Sequence, residues 1–247
     1  MKYGLTVLTP TRDRQEAFAL CVKWMSRQTH TEPVQWLIID DGDVEIDWKK
    51  DWQVGGNVTV ERLRRSPSSD ACTLQANILH AIPHIKGYAV VFFEDDEHYS
   101  PKYLEMMAAM LDEAELVGEK DAHYYNVASR RWHLAGNTKH ASLCRTGIRS
   151  VLLPKLEEAC IASKADNDVF VDLRLWGLRG NGAASTSILL KDWSGLSVGI
   201  KGMPGRGGLG KSHGLDTFKN KDRNMKVLRQ WIGEDAKHYE KYYLGRT

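Results

Sequence analysis

The chain has 247 residues, 42% of them hydrophobic and 27% charged, with a formal net charge of +2. This is ordinary globular usage and argues against general disorder. A net charge this small is no argument for a nucleic-acid-binding protein by itself. Four cysteines, Cys21, Cys72, Cys144 and Cys160, stand far apart with no CxxC pair, which argues against a cysteine zinc site and for reduced thiols. No run of about 18 apolar residues occurs, so no membrane span is expected. The opening residues meet Arg12, Asp13 and Arg14 too soon to be a signal peptide. A cytoplasmic protein is the resulting expectation.

In chain order, residues 5–9 are apolar and β-prone and end in a Pro-Thr turn, which predicts a buried strand. Asp13 is placed to cap a helix running to Arg27, with Ala17, Leu20, Cys21, Trp24 and Met25 at helical spacing. A second strand is expected over 36–39, stopped by Asp40-Asp41-Gly42, and a third over 58–63. Residues 70–82 predict a helix that Pro83 ends. The most apolar strand, 88–93, runs directly into Glu94-Asp95-Asp96-Glu97. Ser100 and Pro101 then open a helix expected to reach about residue 117.

The second half is less regular. A strand is expected over 122–128, helices over 153–162 and 167–178, and short strands over 187–190 and 197–200. A glycine-rich stretch, 202–214, precedes a polar, aromatic helix to about residue 243. The alternation of strand and helix predicts an α/β fold with a mostly parallel sheet flanked by helices. Without an internal repeat or long linker, 1–247 reads as a single domain.

In open α/β sheets, ligands bind beyond the carboxyl ends of the strands. Three expected strands end there in polar or charged groups, at 11–14, 40–41 and 94–97. Acids gathered at one sheet edge repel unless a cation or a donor-rich ligand satisfies them. Hard divalent ions take carboxylate oxygens and bridge protein to phosphate. A diphosphate leaving group needs such neutralisation as the sugar bond breaks.

These segments resemble a known family. The VLTPTRDR run resembles the opening strand and turn of family-two glycosyltransferases, and WLIIDDGD their second strand. The stretch from SSDACTLQAN to FFEDDEHYSPKYLEMM resembles their helix and strand leading into the DxD motif, including Asn77 and Pro101. The resemblance spans the first ~120 residues in order and implies a GT-A, Rossmann-like fold, with 1–120 the nucleotide-sugar half and 121–247 the acceptor half. It implies that Thr11, Arg12, Asp40, Asp41 and Asp95 bind the nucleoside, and that Glu94 and Asp96 hold Mn²⁺ or Mg²⁺. The implied donor is a nucleoside-diphosphate sugar, UDP-linked by default. Two positions depart from the pattern: Glu94 stands for the first Asp of DxD, and Arg12-Asp13 for the usual Tyr-Asn.

In the second half, DNDVFVDLRLW resembles the family's acceptor-side motif, which implies Asp168, or Asp166, as the base that takes the acceptor hydroxyl's proton with inversion. Asp166 also reads as a plain helix cap. Asp172 and Arg174 read as a supporting pair. His213, after the glycine-rich loop, is the further metal ligand the resemblance implies, and Lys201, Arg206 and Lys211 would steady the diphosphate. Trp132, His133, His140 and Arg145 fall in an irregular stretch expected beside the acceptor, which is a saccharide or a modified nucleic acid base. The basic run 219–229 is the signal for nucleic acid.

Residues 205–212 match the phosphate-loop pattern GxxxxGK[ST], so a P-loop NTPase or kinase is an alternative. Gly214 and Asp216 disfavour the helix such a loop must open, and the tail offers no later strand ending in Asp. A non-catalytic binding module is the third reading.

Overall fold

The computed structural model describes residues 3–68, 72–166, 171–179, 184–190, 195–205 and 217–245. Its first half follows the expected alternation. Strand β1 (Leu5–Thr11) leads to helix α1 (Gln15–Ser26), then to strands β2 (Val34–Asp40) and β3 (Val58–Arg64). Helix α2 (Leu74–Ala81) precedes β4 (Ala89–Phe92), the short β5 (Glu97–Tyr99) and helix α3 (Tyr103–Glu113). Then come β6 (Leu116–Glu119), β7 (His123–Asn126), β8 (Arg131–Leu134), β9 (Thr146–Arg149), α4 (Leu153–Ala165) and α5 (Val171–Gly177). The last elements are β10 (Ser187–Leu190), β11 (Ser197–Lys201), β12 (Asn220–Lys221) and α6 (Lys226–Ile232).

Among the described residues, seven strands form one sheet in the order β10-β6-β9-β4-β1-β2-β3. All its neighbours are parallel except β9, which runs antiparallel to β4 and β6. The central strands alternate their side chains between two cores, as the period of a strand buried on both faces requires. Val7, Trp36, Ile38 and Val91 pack with α1, α3 and residues of the C-terminal segment. Leu8, Leu37, Ile39, Val90 and Phe92 pack with α2, α4 and α5. A second sheet, β12-β8-β7-β11-β5, joins the first core through Tyr99, Tyr125, Val198 and Ile200.

Three expectations need correcting. The helix expected to reach about residue 117 ends at Glu113, Ala114 is extended, and Leu116–Glu119 forms β6. Leu116 and Val117 are both fully buried and serve opposite cores, which strand geometry allows for consecutive residues. Asp13 does not cap α1: it sits at φ 51 in a left-handed turn, and the helix begins at Gln15. The C-terminal helix stops at Ile232, where Gly233 at φ 60 turns the chain into a 3-10 segment, Gly233–Tyr242. Of the helix expected over 167–178, Val171–Gly177 is seen, and 167–170 lie outside the described residues.

Candidate active site at the carboxyl edge of the sheet

Strands β1 and β4 are parallel neighbours, so Thr11 and the acidic run after Phe93 emerge side by side. The Thr11 hydroxyl donates to Asp95 Oδ2 at 2.6 Å. Arg14, in the turn before α1, donates to Asp95 Oδ1 at 2.9 Å and lies 3.1 Å from Asp96. Asp95 is 2% exposed, so this carboxylate is held within the protein and is not open to a ligand.

The second cation comes from ~100 residues further along the chain. Strand β11 pairs antiparallel with β5, Gly199 opposite Glu97, and this register carries Lys201 to the acidic turn. Lys201 Nζ donates to Glu97 Oε1 and stands 3.4 Å from Asp96 Oδ2, while Glu97 Oε2 accepts the Ile200 N–H at 2.8 Å. Lys201 and Glu97 are both buried. The half-buried Glu94 directs its carboxyl inward, where ligand atoms of Glu94, Glu97 and Cys144 lie within 4.8 Å of one another. Burial, with Glu97 and Asp96 beside it, pushes the Glu94 carboxyl up to about 8. Burial also raises Asp95 and Glu97, with Arg14 and Lys201 acting against the rise. The Cys144 thiol is pushed well up by burial and by Glu97 and Glu94, so it stays protonated and is a poor ligand for a hard ion.

The end of β2 holds a second polar network. Asp41, fully buried, accepts from Arg65 Nη2 at 2.7 Å and from Asn77 Nδ2 at 2.8 Å. Asp40 accepts the N–H groups of Gly42 at 2.9 Å and Ile46 at 2.8 Å and pairs with Arg64. Both aspartates were expected to touch the nucleoside; in the structure their oxygens accept from protein donors and shape the turn. Arg12 donates to the Ser68 carbonyl at 2.6 Å, but its buried Nε and Nη1 make no hydrogen bond, only ion pairs at 3.7 and 3.9 Å to Asp13 and Asp41.

Lys201 was expected to steady a diphosphate, but its ammonium is spent on Asp96 and Glu97. Arg145, expected beside the acceptor, is fully buried, 3.4 Å from Glu119 and bonded to the His123 carbonyl. Asp166 ends α4 at the surface in an ion pair with Arg174 at 2.6 Å. Among the described residues, no hydrogen bond or ion pair joins Asp166 to the acidic turn. Asp168, Arg206, Lys211 and His213 lie outside the described residues. So does all of the P-loop match but Gly205; the next described regular element is strand β12. Gly205 itself has φ +107, and a Cβ there would meet the Asp13 carbonyl at 2.6 Å, so the glycine-rich stretch starts against the Arg14 turn. Trp132 and His133 line an open groove of about 700 Å³ with Leu134, Thr217, Lys219 and Asn220. His140 is half-buried.

Sequence reasoning missed Arg14 and Glu97 as individual site residues. Arg14 had a signal, its place two residues after Arg12 in a charged turn. Glu97 looked like the tail of the acidic run, and only the β5–β11 pairing gives it a partner.

The mostly parallel sheet flanked by helices has the GT-A fold, as its likeness to solved structures shows. No protein-family profile matches the sequence, and no curated protein matches it. Among solved structures, that of TarS from S. aureus is similar with a TM-score of 0.54 at 15% identity, over 80% of this chain and 36% of that one. The structure of TarS 1-349 in complex with UDP-GlcNAc is similar at 14% identity and a TM-score of 0.54, over 97% of this chain and 73% of that one. For TarS 1-349 in complex with UDP the values are 14% and 0.53, over 80% and 60%. The chain thus spans 36% of the longer TarS chain.

Proposed function

We propose that the protein is a metal-dependent glycosyltransferase that moves a sugar from a nucleoside-diphosphate sugar, UDP-linked by default, to an acceptor hydroxyl. The carrying observation is the acidic turn, held at the carboxyl edge of a GT-A sheet by Thr11, Arg14 and Lys201. A related fold that binds UDP-GlcNAc supports the donor class.

The residues fit a hard divalent cation. Four consecutive acids, Glu94 to Glu97, lie beside two fixed cations, Arg14 and Lys201, so acids outnumber cations in the turn. Among the described residues, no hydrogen bond or ion pair is seen at the Glu94 carboxyl, and the neighbouring acids that raise its proton affinity would equally favour a metal. Asp96 and Glu94 are the residues that would hold Mn²⁺ or Mg²⁺. Such an ion neutralises a departing diphosphate.

The remaining steps belong to the chain's own groups. Asp95, fixed by Thr11 and Arg14, orients the turn. Arg12 offers two buried donors to the nucleotide. Asp168 is the proposed base that takes the acceptor's proton in an inverting transfer, His213 the proposed further metal ligand, and Arg206 and Lys211 the proposed contacts to the diphosphate. The acceptor is a saccharide or a nucleic acid base bearing a hydroxyl. A cytoplasmic setting is supported by four free cysteines, and no described helix is long and apolar enough to cross a membrane.

The test is release of nucleoside diphosphate from a panel of nucleotide sugars with Mn²⁺, with and without EDTA. Release from one donor is expected, lost in EDTA and reduced about 100-fold or more in Asp96→Ala. No release from any donor, alongside ATP hydrolysis that Lys211→Ala abolishes, would establish the phosphate-loop alternative instead.

A further inference from the structure

The second sheet carries a feature that the transferase reading leaves unassigned. Its registers align Lys201 with Asn126, Asn126 with Arg131, and Arg131 with Lys221. Residues directly opposite in a ladder point to the same face; Lys201 and Asn126 are buried, and the row reaches the surface at Arg131 and Lys221, by the β12 edge. Three strand spacings make it about 14 Å long. At its far end the charge changes sign. Lys219, Lys221, Arg223 and Lys226 are exposed, and none has a carboxylate partner among the described residues. The one acid among them, Asp222, is buried and turned inward, where it accepts the N–H groups of Lys226 at 2.8 Å and Val227 at 2.9 Å. The cationic surface is therefore unbalanced.

Aromatic groups lie beside these cations. Trp132 and His133 line the groove together with Lys219 and Asn220. His133 stacks on Tyr124 at 5.1 Å and Trp132 meets Trp231 at 82°, so both rings are held in place by the protein. Fixed aromatic rings beside unpaired cations recognise single-stranded nucleic acid, since the bases stack on the rings and the phosphates meet the lysines. A neutral saccharide would use the rings and leave the cations unmatched. A duplex would keep its bases stacked away from the rings.

We propose that the β8–β12 groove binds single-stranded nucleic acid, and that this is the acceptor. The word acceptor rests on the transferase reading; binding at the groove does not.

The experiment is fluorescence anisotropy of the full chain with labelled single-stranded DNA and RNA 12-mers, without donor, over a salt series. Expected is binding that weakens with salt by a log–log slope of about −0.7 for each phosphate contacted. The double variant Lys219→Glu, Lys221→Glu should bind at least tenfold more weakly, with the slope reduced by about 1.4. Circular dichroism and thermal melts check that the variant is folded. Trp132→Phe keeps a stacking ring and should bind within threefold of the parent, whereas Trp132→Leu should lose more than threefold. No salt-dependent binding, or binding that the lysine variant leaves unchanged, overturns the proposal. So does equal, lysine-dependent binding of heparin, because the groove would then read charge alone. Oligonucleotide binding in a protein that releases no nucleoside diphosphate would keep the groove and remove the transferase. The reverse result would keep the transferase and remove the groove as its acceptor site.

Discussion

The two ends of the second sheet handle charge in opposite ways. At the β5–β11 end, Glu97 and Lys201 are buried and pair with each other, and the Ile200 N–H meets the second Glu97 oxygen. At the β8–β12 end the lysines are exposed and unmatched by any described carboxylate. The difference follows from solvent. A buried charge must be compensated inside the protein, because removing its partner leaves it in a medium that solvates it poorly. An exposed charge is solvated already and can wait for a ligand. The acidic end is thus both scaffold and site, and the basic end is free to be site alone.

The largest expected effect breaks the acidic end. Lys201→Met should cost about 3–5 kcal/mol in denaturant unfolding, since it leaves Glu97 buried without its cation. Adding Glu97→Gln should recover much of that loss. A melt of Lys201→Met indistinguishable from the parent would mean that the pair holds nothing together. Next, Asp41→Ala strips Arg65 and Asn77 of their shared acceptor and should cost about 2–3 kcal/mol by the same measurement.

A pH series sharpens the comparison. Burial, Glu97 and Asp96 raise the folded Glu94 carboxyl to about 8, against 4.5 for the ordinary value. Between those values the folded state holds a proton that the unfolded state has released, so metal-free stability should fall as pH rises through this window. Thermal melts in EDTA from pH 5 to 9 should decline for the parent and decline less for Glu94→Gln. Equal slopes for the two proteins would rule out Glu94 as the source. The smallest effect belongs to the basic end: Lys219→Glu with Lys221→Glu should change stability by no more than about 0.5 kcal/mol. A large loss would mean that these lysines are structural, and the contrast between the two ends would collapse.

Much of the first half was legible without coordinates. Strands β1, β2 and β4 are apolar runs stopped by polar turns, and their acidic ends follow directly in sequence. The apolar run 88–93 leads straight into the acids 94–97, which follow β4 at the carboxyl edge of the sheet. Strands β5, β6, β8, β9 and β12 went unread, each only two to four residues long and too short to display a period. Arg145 was expected beside the acceptor because its stretch is irregular, yet it is buried against Glu119.

By itself, the sequence determined strands β1 to β4 of the central sheet, the order of the helices and the position of the acids at strand ends. Those features are set by residues within about ten positions of one another, through periodicity and turn chemistry. Only the tertiary structure decided which charges meet. Arg14 reaches Asp95 from 81 positions away and Lys201 reaches Glu97 from 104, through pairings between neighbouring strands that carry no local signal. It also decided that Asp40 and Asp41 spend their oxygens inside the protein, because burial depends on what packs above a turn and not on the turn's own residues.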